Sequence, residues 1–187
     1  MANRNTQGFG LVPAGTLGQT PATSGTGKYK IDAGYATTIF HGGAVSSTAG
    51  YIVEGQGTAD NPMIGVLNGI FYNAATTLKP TFSNHYVQVT PANSEDIDAF
   101  VFDNPQQQYV VATDAAVAQS GYLETYDMNA SAGSTTTGKS SSTLDIGDTS
   151  ADGAAFRLLR SAEDPENDEN AAFRSVVVCL NLIELQS

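Results

Sequence analysis

The fold is decided by the stretch Asn61-Pro62-Met63-Ile64-Gly65-Val66-Leu67-Asn68-Gly69-Ile70-Phe71-Tyr72, which begins the central region of the sequence. This region holds three short apolar runs, at residues 64–72, 99–102 and 109–112. Turn-forming residues separate the runs, and short apolar runs between such residues are typical of β-strands rather than helices. The sequence Asp103-Asn104-Pro105 favours a hairpin between the second and third runs. We therefore expect a central meander of an all-β protein.

The rest of the chain continues this pattern. The 187 residues contain 41% apolar and 14% charged side chains, which suits one loop-rich β domain with a buried core. Turn formers recur about every 8–15 residues, and no amphipathic helix of about 10 residues or more is visible. Residues 28–187 are therefore predicted to form a single β-sandwich or barrel domain. Residues 35–40 are predicted to form one of its strands.

The net charge narrows the classes of partner. The chain carries −11 at pH 7, so neither nucleic acid nor an anionic membrane is an expected partner. No stretch reaches the ~20 apolar residues of a membrane helix, and Met1-Ala2-Asn3-Arg4-Asn5-Thr6 has no apolar signal core. The single cysteine, Cys179, lies in a Val-rich run and is interpreted as a small buried thiol rather than as a nucleophile.

The first 27 residues differ from the rest in composition. They contain six glycines and two prolines but few apolar side chains, so they cannot build a core of their own. Two interpretations remain open: a disordered tail, or an extended N-terminal arm, residues 1–27, that becomes ordered on another subunit. Residues 1–30 contain three cations and no acid. The candidate partner-binding residues are Arg4, Phe9, Leu11, Val12, Leu17, Lys28 and Lys30.

One match to a nucleotide-binding motif is rejected. The sequence Gly133-Ser134-Thr135-Thr136-Thr137-Gly138-Lys139-Ser140 fits the P-loop pattern. A P-loop needs a strand before it and a helix after it, so that backbone amides and the helix end hold phosphates. The residues that follow here, 141–147, favour a strand and a turn. We therefore expect a loop or hairpin and no bound nucleotide.

Two weaker patterns concern metal ions. Residues 163–170 are acidic with alternating carboxylates, as in calcium loops, but Glu169 occupies the position that needs glycine. A solvated turn between two strands is the favoured interpretation, with a weak calcium site as the alternative. His41 and His85 have no neighbouring ligands at a zinc-type spacing. We therefore expect no metal, no cofactor, no catalytic residues and no enzymatic activity.

A series of short segments along the whole chain carries a resemblance to a known family. The segments are Gln7-Gly8-Phe9-Gly10-Leu11-Val12-Pro13, Asp32-Ala33-Gly34-Tyr35-Ala36-Thr37-Thr38-Ile39-Phe40-His41-Gly42-Gly43-Ala44-Val45, Gly65-Val66-Leu67-Asn68-Gly69-Ile70-Phe71-Tyr72, Phe82-Ser83-Asn84-His85-Tyr86, Ala99-Phe100-Val101-Phe102-Asp103-Asn104-Pro105, Ser134-Thr135-Thr136-Thr137-Gly138-Lys139-Ser140, Phe156-Arg157-Leu158-Leu159-Arg160, Asp164-Pro165-Glu166-Asn167 and the final Val-rich run. In this order they resemble the small structural virion proteins of marine tailed bacteriophages, of the kind that act as capsid cement or decoration proteins.

This resemblance implies a structural role without catalysis. It implies that the protein binds the capsid exterior, where it bridges neighbouring major capsid protein subunits and makes homo-oligomeric contacts, with a trimer among the arrangements. The protein would then lie on the capsid surface of the virion and assemble in the host cytoplasm. The alternatives are a neck, tail or fibre component and a carbohydrate- or receptor-binding β module, which predicts an exposed aromatic platform.

Overall fold

Thirteen β-strands make up the fold of the residues that the structure describes. The computed structural model describes residues 3, 5–18, 25–147, 154–163, 165–168 and 170–181. In chain order, the strands are β1 (Val12–Thr16), β2 (Gly27–Ile31), β3 (Ala44–Thr48), β4 (Tyr51–Glu54), β5 (Gly65–Asn73), β6 (Pro80–Ser83), β7 (Ile97–Phe102), β8 (Gln107–Ala112), β9 (Thr125–Tyr126), β10 (Met128–Asn129), β11 (Thr143–Leu144), β12 (Phe156–Ser161) and β13 (Ser175–Leu180). Two short 3₁₀ segments, Ala92–Ser94 and Gln119–Gly121, are the helical elements of this part of the chain. The all-β prediction is confirmed.

The strands form two large antiparallel sheets. The first sheet has the order β1-β8-β13-β12-β9, and the second has the order β2-β7-β5-β3-β4, with β6 paired beside β5. Strands β10 and β11 pair separately as a small ribbon. Strands β12 and β13, on either side of the acidic segment, pair with each other in the middle of the first sheet.

The two sheets share one apolar core. Tyr109 on β8, Phe156 on β12 and Val178 on β13 pack in one cluster with Ala44 on β3 and Val66 on β5. All five side chains are buried. Because residues from both sheets fill the same core, the sheets pack face to face as a sandwich.

A second core lies on the opposite face of the second sheet. Leu67 and Ile70 on β5 and Val101 on β7 point into it. The sheet curls, so that its edge strands β2 and β4 approach each other. A pair of backbone hydrogen bonds between Ile39 and Tyr86 joins two loops whose buried side chains belong to this core. The second sheet is therefore covered on both faces over part of its length.

Two predictions at the level of single strands were wrong. The three central runs form β5, β7 and β8, but β7 belongs to the second sheet and β8 to the first, so they do not form a hairpin. Residues 103–106 instead cross between the sheets, and Tyr109 Oη donates to Phe102 O at this corner (3.1 Å). Residues 35–40 were predicted to form a strand, but they run as a loop. Their β-bridge, at Ile39, joins them to another loop and not to a strand of either sheet.

Candidate interaction surface

The described part of the N-terminal segment is bound to the sandwich. The side chain of Asn3 donates to Ala172 O (2.8 Å), and that of Asn5 donates to Ser175 Oγ (3.0 Å). Strand β1 then pairs with β8 at the edge of the first sheet. This corrects the expectation of an arm that becomes ordered only on another subunit, because hydrogen bonds within the chain already hold these residues.

The candidate residues of the N-terminal segment fall into different environments. Arg4 lies outside the described residues. Leu11 is 1% exposed and belongs to the core shared by the two sheets, so its assignment as a partner contact is corrected to a core residue. Phe9 is partly buried, whereas Val12 and Leu17 are 46% and 41% exposed. Val12 and Leu17 therefore remain candidates for contact with a partner.

Lys28 and Lys30 lie on β2 in the second sheet, where both bind one carboxylate. Their Nζ atoms are 2.8 Å from Asp98 Oδ2 and 2.6 Å from Asp98 Oδ1 respectively. Burial by itself raises the pKa of Asp98, but the hydrogen bonds and charges of the two lysines outweigh burial and hold that pKa below its ordinary value. The hydrogen bond to Asp98 also raises the pKa of Lys30. Two ammonium groups thus share one carboxylate, and the charges of Asp96 and Glu95 also act on Lys30, so the two lysines leave no excess of positive charge here.

Three phenylalanines that the sequence analysis did not single out lie beside these lysines. Phe82 on β6 is 61% exposed, Phe71 on β5 is 36% exposed, and Phe100 on β7 is partly buried. The rings of Phe82 and Phe100 are 6.4 Å apart between centroids and tilted by 40°. We call the surface made by Phe71, Phe82, Phe100, Lys28 and Lys30 the phenyl face.

The register of the second sheet builds the phenyl face in two rows across the strands. One row contains Lys30, Asp98, Phe71 and Phe82. The next row contains Lys28, Phe100 and Gly69. Side chains directly opposite each other in an antiparallel sheet point to the same face. In the sequence, the alternation of Phe100 with Ala99 and Val101, which are buried, indicated that Phe100 points to the other face of its strand. The residues that lie beside Phe100 could be identified only from the pairing of the strands.

Gly69 provides space for Phe82 over the sheet. A side chain at position 69 would place its Cβ 2.6 Å from Phe82 Cζ and 2.9 Å from Ser83 O. The pairing of β5 with β7 is also irregular between Leu67 and Gly69. Glycine inside a strand costs roughly 0.5–1 kcal/mol relative to alanine, and such glycines often mark a bulge or a close approach. Strand β5 therefore carries an unfavourable residue at the point where an exposed phenyl ring is seated.

An open cleft of about 280 Å³ adjoins the phenyl face. Its lining includes Lys30, Phe71, Glu95 and Asp96. Tyr51 Oη donates to Asp96 Oδ2 across 3.1 Å, which fixes one of these carboxylates. One border of the phenyl face is therefore polar and carries both signs of charge.

The sequence that matches a P-loop forms a loop in a β context. His41 N donates to Gly138 O (2.8 Å), and Ser140 N donates to His41 O (2.9 Å). Gly138 has a φ of +71°, and Lys139 is exposed. The element that follows is β11 rather than a helix. The prediction of a loop is confirmed.

The acidic segment between β12 and β13 is organised by one asparagine. Asn167 Nδ2 donates to Ser175 O (2.8 Å) and Ala162 O (3.2 Å), and Ser175 N donates to Asn167 Oδ1 (2.9 Å). Asp164 and Glu169, which belong to the calcium-like pattern, lie outside the described residues. In the part of the chain that the structure describes, no three His, Cys, Asp or Glu side chains are grouped so that they could hold a metal ion.

The lone cysteine is a core residue. Cys179 lies on β13 and is 6% exposed. Removal from water disfavours the thiolate, so burial raises the pKa of the Cys179 thiol. The interpretation as a buried thiol is confirmed.

The fold and the phenyl face define the class as an all-β sandwich protein with an exposed aromatic sheet surface. Comparison with protein-family models, with curated proteins and with solved structures finds no match to this chain. Among the described residues, no helix has the length and apolar character needed to cross a membrane.

Proposed function

We propose that the protein is a structural virion protein that binds the exterior of a phage capsid as a cement or decoration protein. In this role it bridges neighbouring major capsid protein subunits and stabilises them against separation. The resemblance of the sequence segments to such proteins is the starting point. The position of the exposed apolar side chains is the observation that supports it.

Exposed apolar side chains lie on both sheets. Phe82 and Phe71 are exposed on the second sheet, and Val12 and Leu17 are exposed at the edge strand of the first sheet or just after it. A clamp between two neighbours needs two contact surfaces, one for each neighbour. Scattered exposed apolar residues are common on proteins, but apolar groups clustered on a sheet face indicate an interaction surface.

The net charge of the chain is consistent with binding through apolar contacts rather than through general electrostatic attraction. The net charge of −11 disfavours non-specific binding to nucleic acid and keeps the protein soluble. The two lysines of the phenyl face are balanced by Asp98 and by the nearby Asp96 and Glu95, so the exposed rings, and not charge, distinguish this face. We therefore expect the protein to bind a shell through particular surfaces and not over its whole exterior.

Copy number in purified particles tests the proposal. A cement protein occurs in numbers comparable with those of the major capsid protein, so the two bands on a quantitative protein gel should have similar molar intensity. The purified chain should also bind particles assembled without it and raise their resistance to heat. A few copies per particle would favour a neck, tail or fibre component instead, and absence from the particle would reject a virion role.

A second candidate function is a receptor- or carbohydrate-binding β module. The phenyl face favours it, because such a module needs an exposed aromatic platform and Phe82 and Phe100 form one beside the adjoining polar cleft. Binding assays with host-cell surface preparations and with particles distinguish the two functions. A binding module binds host surfaces and is dispensable for particle stability, whereas a cement protein binds shells and stabilises them.

A further inference from the structure

We propose that the turn between β5 and β6 inserts Leu78 into a cleft beside β9 on a neighbouring copy of this chain. This inference goes beyond the proposed function, because the contact joins two copies of the chain and does not require the shell. Four features of the described residues support it: the conformation of Leu78, the form of the cleft, the charges beside the two, and their positions on different sheets.

The first feature is an exposed leucine in a backbone conformation that does not suit it. Leu78 has a φ of +53° and is 72% exposed. Its N donates to Ala74 O (2.8 Å), which closes a tight turn, and residues 75–80 are all exposed. Glycine and asparagine are the residues that favour this left-handed conformation, and a bulky side chain there is an outlier. Neither backbone preference nor burial within the chain accounts for a leucine here, so its side chain is suited to a contact outside the chain.

The second feature is an open cleft of about 460 Å³ between β9 and residues 116–121, which we call the β9 cleft. Two of its lining residues, Val117 and Tyr126, are buried members of the core shared by the two sheets. Tyr126 Oη donates to Gly121 O (2.9 Å), which joins the two sides of the cleft. The space left when one buried leucine is cut back to alanine is on the order of 150 Å³. The β9 cleft therefore has room for Leu78 and part of a second side chain.

The third feature is a pair of opposite charges, one beside the leucine and one in the cleft. Lys79 follows Leu78 and is the one charged residue at positions 61–94, apart from a histidine. Glu124 lines the β9 cleft and is the one charged residue at positions 115–126. Among the described residues, neither of these side chains takes part in an ion pair. Insertion of Leu78 would bring the two charges to the same border, where an ion pair fixes the orientation of a contact.

The other charged groups near the two surfaces leave this pairing in place. Arg174 is 2% exposed, and Asp114 and Arg157 are engaged in hydrogen bonds with the backbone of the same chain. None of these three belongs to the described lining of the β9 cleft. On the side of the turn, Glu95 and Asp96 line the separate cleft that adjoins the phenyl face. The ion pair is therefore a contribution at the border of the contact, and the apolar side chain supplies its centre.

The fourth feature is that the turn and the cleft lie on different sheets. Strands β5 and β6 belong to the second sheet, and β9 is the edge strand of the first. Each copy can therefore offer Leu78 to one neighbour and its β9 cleft to another. A contact between two different surfaces is heterologous, and it generates a ring if the rotation between copies closes. Such a contact needs no two-fold symmetry.

The main test is sedimentation of the full-length chain at increasing concentration in moderate salt. The contact is small and two copies with a net charge of −11 repel each other, so we expect a dissociation constant on the order of 0.1–1 mM. Leu78→Gly should weaken association about 10-fold or more. It should not lower the thermal midpoint, because glycine suits a φ of +53°. Leu17→Ala removes an exposed leucine just after β1 and should leave association unchanged.

A second variant closes the other half of the contact. Ala118 is an exposed residue in the lining of the β9 cleft, so Ala118→Leu should fill the cleft without disturbing the core. This variant keeps Leu78, whereas Leu78→Gly keeps an open cleft. Each variant alone should remain monomeric, and an equimolar mixture should form pairs but no larger species. That result distinguishes one heterologous contact from two unrelated surfaces.

Charge reversal tests the border of the contact. Lys79→Glu and Glu124→Lys should each weaken association several-fold, although they change the net charge in opposite directions. The chain that carries both reversals keeps the net charge of −11 and should recover the association of the parent. Lys139→Glu, in the exposed loop after Gly138, changes the net charge as Lys79→Glu does and should have a smaller effect.

The outcomes separate this inference from the proposed function, which is tested on particles. A parent chain that stays monomeric up to about 1 mM would reject the contact between copies and leave the cement role standing. If Leu78→Gly or Ala118→Leu associates as strongly as the parent, the copies meet through other surfaces and the inference is wrong. If both variants are monomeric but their mixture forms no pairs, Leu78 does not enter the β9 cleft.

Discussion

The side-chain amide of Asn3 donates a hydrogen bond to the carbonyl of Ala172 at 2.8 Å, so the start of the described chain is joined to the loop that precedes the last strand. The same side chain accepts a hydrogen bond from Asp168 N. Asn3 is 6% exposed, so these hydrogen bonds are removed from water. A buried polar group of this kind is costly to leave unpaired, and the described part of the N-terminal segment is therefore a structural part of the sandwich.

The first prediction follows from the depth at which the N-terminal segment is buried. Leu11→Ala should lower the free energy of unfolding by about 2–5 kcal/mol, because it leaves a cavity in the core shared by the two sheets. Val12→Ala, at the neighbouring position that is 46% exposed, should change it by less than ~0.5 kcal/mol. Urea unfolding of both variants measures the difference. Equal stability of the two would show that the segment does not hold the body together in solution.

Local patterns in the sequence predicted the three central strands, β5, β7 and β8, but not their partners. The turn after β7 has the chemistry expected of Asp103-Asn104-Pro105, because Asn104 Oδ1 accepts a hydrogen bond from Gln106 N (2.9 Å). Alternation of apolar residues tells which side chains share a face of one strand, but it says nothing about which sheet the next strand joins. The crossing from the second sheet to the first depends on long-range pairing of β8 with β1 and β13.

The candidate surface could be predicted only in part for the same reason. Lys28 and Lys30 stood out because they lie in a stretch without acids. Their carboxylate partner, Asp98, lies about seventy residues further along the sequence and meets them through the register of β2 and β7. Phe71 and Phe82 look like core residues in a sequence, and their exposure depends on the first sheet not covering that part of the second.

The second prediction concerns the P-loop-like sequence. Gly138→Ala should lower the free energy of unfolding by about 1–3 kcal/mol, because φ is +71° there and a Cβ would meet the side chains of Asn84 and His85. Lys139→Ala should change it by less than ~0.5 kcal/mol, because this side chain is exposed. Magnesium–ATP should not raise the thermal midpoint of the parent. A midpoint that rises with ATP and no longer does so in Lys139→Ala would mean that the loop binds phosphate.

The third prediction uses the hydroxyl of Tyr29. Burial, together with its hydrogen bond to Asp103 Oδ2 (2.7 Å), raises the pKa of Tyr29 from 10.0 to about 12. A raised pKa means that the protonated form is favoured in the folded state, so its contribution to stability is complete below pH 10 and is lost as the pH rises through about 12. Tyr29→Phe removes this contribution, so the parent's advantage over the variant should be constant from pH 7 to about pH 9.5 and should decline above pH 10.

Urea unfolding of the parent and Tyr29→Phe at several pH values measures this advantage. Other buried tyrosines of the chain also have raised pKa values, among them Tyr86, so both proteins lose stability in alkali and only their difference reports on Tyr29. An advantage that persists undiminished to pH 12 would show that the hydroxyl of Tyr29 is not responsible.

The last prediction concerns acid and the carboxylate of Asp98. The pKa of Asp98 is lowered in the folded state, because Lys28 and Lys30 outweigh the effect of burial. A lowered pKa means that the ionised form contributes stability above the unfolded value of about 3.9, and that this contribution is lost as the pH falls through the folded value. Asp98→Asn should therefore lower the free energy of unfolding by about 1 kcal/mol at pH 7, and this cost should shrink as the pH falls below about 3.9 and Asp98 of the parent becomes protonated. Asp60→Asn, which neutralises an exposed carboxylate in a turn, is the charge-matched control and should cost nothing at either pH. Equal stability of Asp98→Asn and the parent at pH 7 would contradict the assignment, because an ionised Asp98 held by Lys28 and Lys30 must stabilise the folded state.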